Sequence, residues 1–272
     1  MSNVSSAAKV TLSTLAAIKR KGERFACSTV YDATFAEIAS TAGVEVLLVG
    51  DSLGMVVQGH DSTLPVTMDN ILDHLDTVRR GNRGALIMGD MPFMSYYAEG
   101  LTLENAAKII RAGAHVVKLE GGRWIGESTR LLVERGIPVC AHMGLTPQSI
   151  NRFGGFRVQG RDPEQAQAIL DEAVYLEEAG ASVLLLEAIP AQLAERITGR
   201  LKIPVIGIGA GKHVDGQIMV MHDLLGITPP DIKVPKFVQN FLAESTRGIR
   251  GAFEAYVKAV KNGTFPGPEH SY

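Results

Sequence analysis

The sequence predicts an α/β protein, a single (β/α)8 TIM barrel domain over residues 1–272. Three observations favour this fold. Eight short apolar runs of strand length alternate with segments of helical periodicity. Several of these runs are continuous in Val, Ile and Leu, which is typical of strands buried on both faces of a parallel sheet. The length of 272 residues also fits the roughly 250 residues of such barrels.

The predicted elements follow an N-terminal tail of about residues 1–10. A short helix at 11–20 is expected to close one end of the barrel. The predicted strands are 24–30, 46–49, 85–89, 114–119, 137–142, 181–186, 203–208 and 216–221. Helices are expected at 32–40, from near 67, at 102–110, at 124–135, at 163–179 and from 190. A C-terminal helical extension at about 234–262 is expected to contain helices at 234–242 and 246–260.

A doubly wound open sheet is the competing architecture. It would usually place a glycine-rich turn directly after the first strand, where the turn binds phosphate. Here that position holds Val30, Tyr31 and Asp32. Since the glycine-rich turn is missing there, the barrel is the preferred fold.

Composition argues against several functional classes. The net charge of -2 gives no electrostatic case for nucleic-acid binding. No apolar stretch approaches the roughly 20 residues of a membrane span, and the N-terminus lacks the apolar core of a secretory signal. The cytoplasm is therefore the expected location. Cys27 and Cys140 lie in apolar segments and are expected to be buried rather than reactive or metal-binding.

Acidic residues end four of the apolar runs. Asp51, Asp90 and Glu120 follow the second, third and fourth strands, and Glu187 ends the sixth. Neighbouring parallel strands lie about 4.8 Å apart, so the first three side chains can converge at the carboxyl end of the barrel, where ligands bind. Three converging carboxylates favour a hard divalent cation such as Mg²⁺. The alternative is that each acid caps the helix that follows it.

Two further polar residues lie beside these acids in the sequence. Lys118 stands two residues before Glu120 on the same side of its strand, and a lysine in this apolar run requires an anionic partner. That partner is either the acid cluster or an anionic substrate, and a purely structural ion pair is the alternative. Ser52 offers a hydroxyl and an N–H that suit a substrate carboxylate, but it could equally cap the following turn.

Glu187 is the predicted general base. Its apolar strand and apolar flank suit a carboxylate that removes a proton from carbon next to a metal-bound carbonyl, although a structural acid is the alternative. His142 ends the fifth strand, between this base and the acid cluster. It could donate to a developing oxyanion, fix a ligand or be a satisfied core histidine. We group it with the substrate-binding residues.

Two other segments are weaker candidates. The glycine-rich run at 206–211 follows the seventh strand, where many barrels bind phosphate, although tight turns explain its glycines without a ligand. Arg152, Arg157 and Arg161 could meet an anionic substrate tail. A solvated loop is the preferred interpretation of these arginines.

Five motifs carry a resemblance to a known family. They are VGDSLGMVVQGHDSTLPVT at 49–67, GDMPF at 89–93, VKLEGG at 117–122, HMGLTPQ at 142–148 and PVIGIGAG at 204–211. With these motifs the sequence resembles the ketopantoate hydroxymethyltransferase family, also called the 3-methyl-2-oxobutanoate hydroxymethyltransferases. The resemblance runs from about residue 12 to the PGPEHS segment near the C-terminus.

The resemblance implies an enzyme of pantothenate biosynthesis with this barrel fold. Such an enzyme binds Mg²⁺ and transfers a one-carbon unit from 5,10-methylenetetrahydrofolate to 3-methyl-2-oxobutanoate, giving 2-dehydropantoate. It further implies a cytoplasmic homodecamer with Glu187 as the proton acceptor. The residues implied to hold the metal are Asp51, Asp90 and Glu120. Those implied to hold the keto acid are Asp51, Ser52, Asp90 and Lys118.

Two other functions remain open at this level. A metal-dependent lyase or mutase of the isocitrate lyase and phosphoenolpyruvate mutase type would also use a Mg²⁺-bound enolate. The sequence, however, contains no KKCGH-like loop with a catalytic cysteine. A non-catalytic scaffold barrel is less favoured, because it would have no reason to bury four acids and a lysine at its strand ends. Catalytic turnover distinguishes these classes.

Overall fold

Eight parallel strands close into a barrel in the computed structural model, which describes residues 9–229 and 234–272. The strands β1 to β8, in chain order, are Phe25–Thr29, Val46–Val49, Leu86–Asp90, Val116–Glu120, Val139–Gly144, Val183–Glu187, Val205–Ile208 and Gly216–Met219. They pair in chain order, and β8 pairs in parallel with β1 to close the sheet. Each strand begins and ends within two residues of its predicted bounds. The predicted fold class is therefore confirmed.

Helices surround the strands and connect them. In chain order α1 to α11, they are Leu12–Arg20, Ala33–Thr41, Leu53–Val56, Met68–Gly81, Glu99–Ala112, Gly126–Val133, Ile150–Phe153, Pro163–Glu178, Ala191–Arg200, Met221–Leu224 and Gly248–Asn262. Side-chain caps begin several of them at the predicted places. Asp32, for example, accepts a hydrogen bond from Phe35 N at 2.9 Å and so begins α2. None of the described helices is long and apolar enough to cross a membrane.

The N-terminal helix α1 closes the amino-terminal end of the barrel, as predicted. Leu15 is fully buried among the apolar side chains inside the barrel, and Leu12 and Ile18 pack against the same cluster. Val10 N donates to Gly84 O at 2.8 Å, just before β3, which fixes the entry of the chain at this end. The site described below therefore lies at the opposite, carboxyl-terminal end. Residues 1–8 of the predicted tail lie outside the described residues.

The prediction of a helix at 234–242 is wrong. The chain there consists of turns and irregular structure, and α11 is the single regular helix of the described part of the C-terminal extension. The Asn240 side chain accepts hydrogen bonds from the backbone N–H groups of Leu242 and Ala243, so it competes with helical bonding. Phe241 packs against the rings of Tyr256 and Phe265, and this tertiary packing outweighs the weak preference of a short helix.

Candidate active site

The side chains that face the inside of the barrel change from apolar to charged at its carboxyl end. Because side chains alternate along a strand, positions two apart share one side. On β4 the inward sequence runs from apolar Val116 to Lys118 and Glu120, and on β6 it runs from apolar Leu185 to Glu187. The barrel thus places its charged groups in one layer above an apolar filling, at the end where barrel enzymes bind ligands.

Three carboxylates converge in this layer, as the sequence predicts. Asp51, Asp90 and Glu120 are each almost fully buried, and one oxygen from each lies within 4.8 Å of the other two. Asp51 sits in the turn after β2, where its backbone N–H donates to Asp90 Oδ2 at 3.2 Å. None of the three begins a helix with its side chain among the described elements, so the helix-cap alternative fails here.

Lys118 is the positive charge within this cluster. Its Nζ lies 2.8 and 2.7 Å from the two oxygens of Asp90 and 2.9 Å from Glu120 Oε1. Burial lowers the pKa of Lys118, but the carboxylates of Asp90, Glu120 and Asp51 outweigh burial and raise it well above its usual value. The lysine is therefore an ammonium group, as its surroundings in the sequence require.

The charges of the cluster fit a divalent cation. The three carboxylates outnumber the cations that contact them, so the buried site carries excess negative charge. Burial, and then the neighbouring Asp90 and Glu120, raise the pKa of Asp51 well above its ordinary value, because without another cation its charge is poorly balanced. Burial also opposes ionisation of Glu120, but Lys118 and His142 lower its pKa to about 2. Carboxylate oxygens in this number are the donors that Mg²⁺ takes in proteins.

Gln148 and Tyr96 organise the acid cluster, and neither was singled out from the sequence. Gln148 donates through Nε2 to Asp51 Oδ2 at 2.9 Å and through its backbone N–H to Glu120 Oε2 at 3.0 Å. Tyr96 OH donates to Gln148 Oε1 at 2.7 Å and so fixes the amide orientation. Gln148 ends the HMGLTPQ motif, and its position after β5 was the available signal.

His142 lies between the acid cluster and Glu187, as predicted. Its Nδ1 is 3.2 Å from Glu120 Oε1, and its Nε2 is 3.2 Å from Glu187 Oε2. The Nε2 contact lacks hydrogen-bond geometry, so this buried nitrogen has no hydrogen-bond partner among the described residues. Burial lowers the pKa of His142, but Glu120 and Glu187 outweigh burial and raise it to about 9. The ring is therefore positively charged between two carboxylates at neutral pH.

The backbone holds Glu187 at the end of β6. Its carbonyl oxygen accepts a hydrogen bond from Leu145 N at 2.9 Å, and its register partner is Gly144 on β5. Gly144 has a φ of 89°, and a Cβ there would overlap the Glu187 carbonyl, so glycine is needed at this close approach. The side chain of Glu187 is 15% exposed, which makes it the most accessible carboxylate of the site.

Ser52 is joined to a tyrosine rather than to its own helix. Its hydroxyl makes no cap to α3, and it lies 2.9 Å from Tyr31 OH in a hydrogen bond. Tyr31 is 3% exposed and follows β1. The simple-cap alternative for Ser52 therefore fails, and Tyr31 is a further residue of the site that the sequence did not indicate.

Among the described residues, the weaker candidates make no hydrogen bond or ion pair with Asp51, Asp90 or Glu120. The turn at Gly209 packs against the rings of Phe237 and Tyr272, which favours the structural interpretation of the glycine-rich run. Arg152 and Arg157 are exposed, in agreement with a solvated loop. Cys27 and Cys140 are fully buried, as predicted.

Several solved structures with a similar fold are distant in sequence. A phosphonopyruvate hydrolase is 14% identical, with a TM-score of 0.61 over 81% of this chain and 84% of that chain. A 2,3-dimethylmalate lyase of the phosphoenolpyruvate mutase and isocitrate lyase superfamily is 16% identical, with a TM-score of 0.57 over 76% and 80%. A phosphonopyruvate hydrolase complex with oxalate and Mg²⁺ is similar at a TM-score of 0.59, with 14% identity over 77% and 80%. At this identity the likeness shows the fold alone.

Relatives in sequence are much closer. A sequence model of ketopantoate hydroxymethyltransferase matches residues 9–268. The 3-methyl-2-oxobutanoate hydroxymethyltransferase of Marinobacter nauticus is 58% identical over 97% of this chain and 98% of its own. The enzyme of the same name from Stutzerimonas stutzeri is 57% identical over the same shares. The predicted family and the expectation of an enzyme are thus confirmed, and the chain belongs to the ketopantoate hydroxymethyltransferase family.

Proposed function

We propose that this protein transfers a one-carbon unit from 5,10-methylenetetrahydrofolate to 3-methyl-2-oxobutanoate, giving 2-dehydropantoate. The relatives that match nearly the whole chain carry a name that states hydroxymethyl transfer to 3-methyl-2-oxobutanoate, which supports the acceptor and the transferred group. One structural observation carries the proposal. A carboxylate, Glu187, faces a buried cluster of three carboxylates and a lysine across a single histidine, with 3.2 Å on each side of the ring.

The acid cluster would hold Mg²⁺ through Asp51, Asp90 and Glu120. Its excess negative charge and its hard oxygen donors support this assignment. When bound, the ion would help to stabilise negative charge that develops on the keto oxygen of the substrate. Gln148 would orient Asp51 and Glu120 toward it, because it donates a hydrogen bond to each.

The keto acid would bind next to this cluster. Ser52 offers its hydroxyl and its backbone N–H to its carboxylate, and the Lys118 ammonium offers a positive charge to its keto oxygen. Asp90 keeps Lys118 charged and in position through two short contacts. These residues therefore act in binding and in stabilising negative charge on the substrate.

Glu187 would remove the proton from C3 of the keto acid. The charged His142 ring lies against the Glu187 carboxylate and supports its orientation. Loss of the C3 proton gives an enolate whose charge the Lys118 ammonium stabilises. C3 then forms a bond to the methylene carbon of the donor, and water supplies the hydroxyl oxygen of the new group. The two bonds between that carbon and the donor nitrogens break, and tetrahydrofolate leaves with the proton from C3 and one proton of the water on those nitrogens.

A lyase or mutase function is less supported. Enzymes of that type share the fold, but the sequence lacks their cysteine-bearing loop. Both cysteines lie inside the barrel on β1 and β5, and burial raises the pKa of Cys140 to about 12. Neither thiol is therefore available as a catalytic group.

The direct test is hydrogen exchange at C3. We would follow loss of the C3 proton signal of 3-methyl-2-oxobutanoate in D₂O by NMR, first with Mg²⁺ and then with EDTA, without folate. Exchange with Mg²⁺ and its loss with EDTA are expected, followed by product formation when the donor is added. If no exchange occurs in either condition, even with tetrahydrofolate present, the enolising function is wrong.

Location in the cytoplasm and assembly into a homodecamer remain predictions from the family resemblance. Light scattering coupled to size exclusion tests the assembly directly. A particle of ten chain masses is expected, and a stable monomer at micromolar concentration would contradict it.

A further inference from the structure

A cavity of about 160 Å³ opens beside the acid cluster. Its inner wall contains the buried residues Glu120 and Gln148, and its outer wall contains Phe93, Tyr97 and Trp124. Glu120 belongs to the proposed metal site, and Gln148 orients two of the metal-site carboxylates. A molecule in this cavity would therefore contact the reaction centre from the side of β3 and β4.

The outer wall exposes an unusual amount of apolar surface. Phe93, Met94, Tyr97 and Trp124 are 45%, 54%, 66% and 59% exposed. They are four of the nine large hydrophobic residues that are exposed in residues 9–229 and 234–272, and all four line this one cavity. Apolar side chains grouped at the edge of a polar site are typical of a ligand-binding groove.

The indole of Trp124 is held in a fixed orientation despite its exposure. It stacks on the Tyr96 ring with 5.6 Å between centroids and 10° between planes. Gly121, with a φ of 152°, leaves room for it, since a Cβ there would lie 2.5 Å from the indole Nε1. The Tyr96 hydroxyl in turn donates to Gln148 Oε1 and lies 3.0 Å from the Glu120 carbonyl oxygen. The aromatic wall is thus built onto the framework of the acid cluster.

We propose that this cavity binds the pterin ring of the one-carbon donor, an inference that rests on the proposed function. The transferred carbon is bonded to a nitrogen of that ring, so the ring must lie beside the substrate carbon. A flat heterocycle with polar edges matches aromatic side chains on one wall and Gln148 and Ser149 on another. The keto acid is small and aliphatic, and Ser52 and Lys118 already account for its carboxylate and its keto oxygen.

The single tryptophan of the chain gives a direct readout, because Trp124 lines the cavity. We would titrate the whole protein with tetrahydrofolate and follow tryptophan fluorescence, with N-acetyltryptophanamide as the correction for absorbed light. Saturable quenching is expected in the wild-type protein. The same titration with p-aminobenzoylglutamate, which lacks the pterin, should give no saturable quenching.

The test variant is Tyr97→Ala, which keeps the fluorescent reporter and removes an exposed side chain. We expect it to weaken tetrahydrofolate binding roughly tenfold, the scale of lost aromatic stacking on a heterocycle. The KM for the donor should rise by a similar factor, while the KM for the keto acid should change less than twofold. Ile249→Ala removes an exposed apolar side chain on α11 and should alter neither.

The outcomes separate this inference from the proposed function. Absence of C3 exchange and of product formation in the wild type would overturn the proposed function itself. If the wild type is active but Tyr97→Ala binds tetrahydrofolate as tightly as the wild type, the pterin binds elsewhere and the inference is overturned. A fall in the assembly mass of Tyr97→Ala with unchanged binding would overturn it too, since the aromatic wall would then be a contact between copies of the chain.

Discussion

Inside the barrel, the same strands carry apolar side chains at one level and charged side chains at the next. Val116 and Lys118 are adjacent inward positions of β4, and both are buried. Val116 belongs to the apolar cluster closed by Leu15, whereas Lys118 contacts two carboxylates. Burial alone therefore does not decide what a position does, because depth along the barrel axis separates the two roles.

We call the apolar cluster around Val116 and Leu15 the lower layer, and the charged residues around Lys118 at the carboxyl end the upper layer. The lower layer stabilises the fold, and the upper layer costs stability. Apolar side chains contribute roughly 25 cal/mol per Å² of surface removed from water. Buried charges lose hydration, and their mutual attraction does not reliably compensate for this loss. The upper layer is thus best explained by the proposed binding and chemistry. Substitutions there should mainly change C3 exchange or its dependence on the cation, whereas substitutions in the lower layer should mainly change the free energy of unfolding.

The largest effect is expected for Glu187→Gln in the upper layer. Loss of a general base should slow C3 exchange by about 10²- to 10⁴-fold. The free energy of unfolding should change by less than about 1 kcal/mol, because glutamine keeps the shape of the side chain. Exchange is measured by NMR and unfolding by denaturant titration. Glu104→Gln on the exposed face of α5 is the matched control, and retained exchange in Glu187→Gln would exclude Glu187 as the base.

Lys118→Met tests whether the upper layer depends on charge balance. Removing one partner from a buried ion pair typically costs about 3 to 5 kcal/mol of unfolding free energy. We expect a loss of this size in EDTA and a smaller loss in Mg²⁺, because the cation would compensate the same carboxylates. Denaturant titrations in both buffers measure the difference.

An exposed pair supplies the control for Lys118→Met. Lys108→Met removes the partner of Glu104 on α5 and should change stability far less in both buffers. Equal losses for Lys118→Met with and without Mg²⁺ would argue that no cation binds at the acid cluster.

The sequence predicts the barrel well because both layers leave local signals. Strands buried on both faces appear as continuous apolar runs, and Asp90, Glu120 and Glu187 interrupt those runs where they end. Convergence of the acids then follows from parallel pairing in chain order. The motifs supplied the family, and with it the roles that remain proposals.

The sequence does not predict features that depend on contacts between segments far apart in the chain. Gln148 reaches Asp51 across 97 positions, and no spacing rule connects them. The helix expected at 234–242 fails for the same reason, since the packing of Phe241 on α11 is invisible to local periodicity. Tyr31 directly follows β1, and in the sequence it served only to argue against a glycine-rich turn at that place. Its hydrogen bond to Ser52 could not be predicted from this position.

Leu15→Ala tests the lower layer. Truncating this fully buried side chain should reduce the free energy of unfolding by about 2 to 5 kcal/mol, through lost burial and the cavity that remains. C3 exchange at a temperature where the variant is folded should stay within about twofold of the wild type, because the residues proposed to act in catalysis lie at the other end of the barrel. Ser13→Ala, at an exposed position of α1, is the control. A selective loss of exchange would mean that the two layers are coupled.

Tyr31→Phe should give the smallest effect, and it tests whether the upper layer extends to Tyr31 at the end of β1. It removes only the hydroxyl that bonds to Ser52 Oγ at 2.9 Å, while the ring still packs in the core. If Ser52 holds the keto acid, losing this hydrogen bond should cost about 0.5 to 1.5 kcal/mol of substrate binding, or roughly two- to twelvefold in KM. The turnover number should change much less, since Tyr31 does not contact Glu187. Steady-state kinetics measure the KM for the keto acid and the turnover number separately, and Ser13→Ala, which removes an exposed hydroxyl on α1, is the control. An unchanged KM with lower stability would restrict Tyr31 to packing, whereas a selective rise in KM extends the functional layer from the charged cluster to the end of β1.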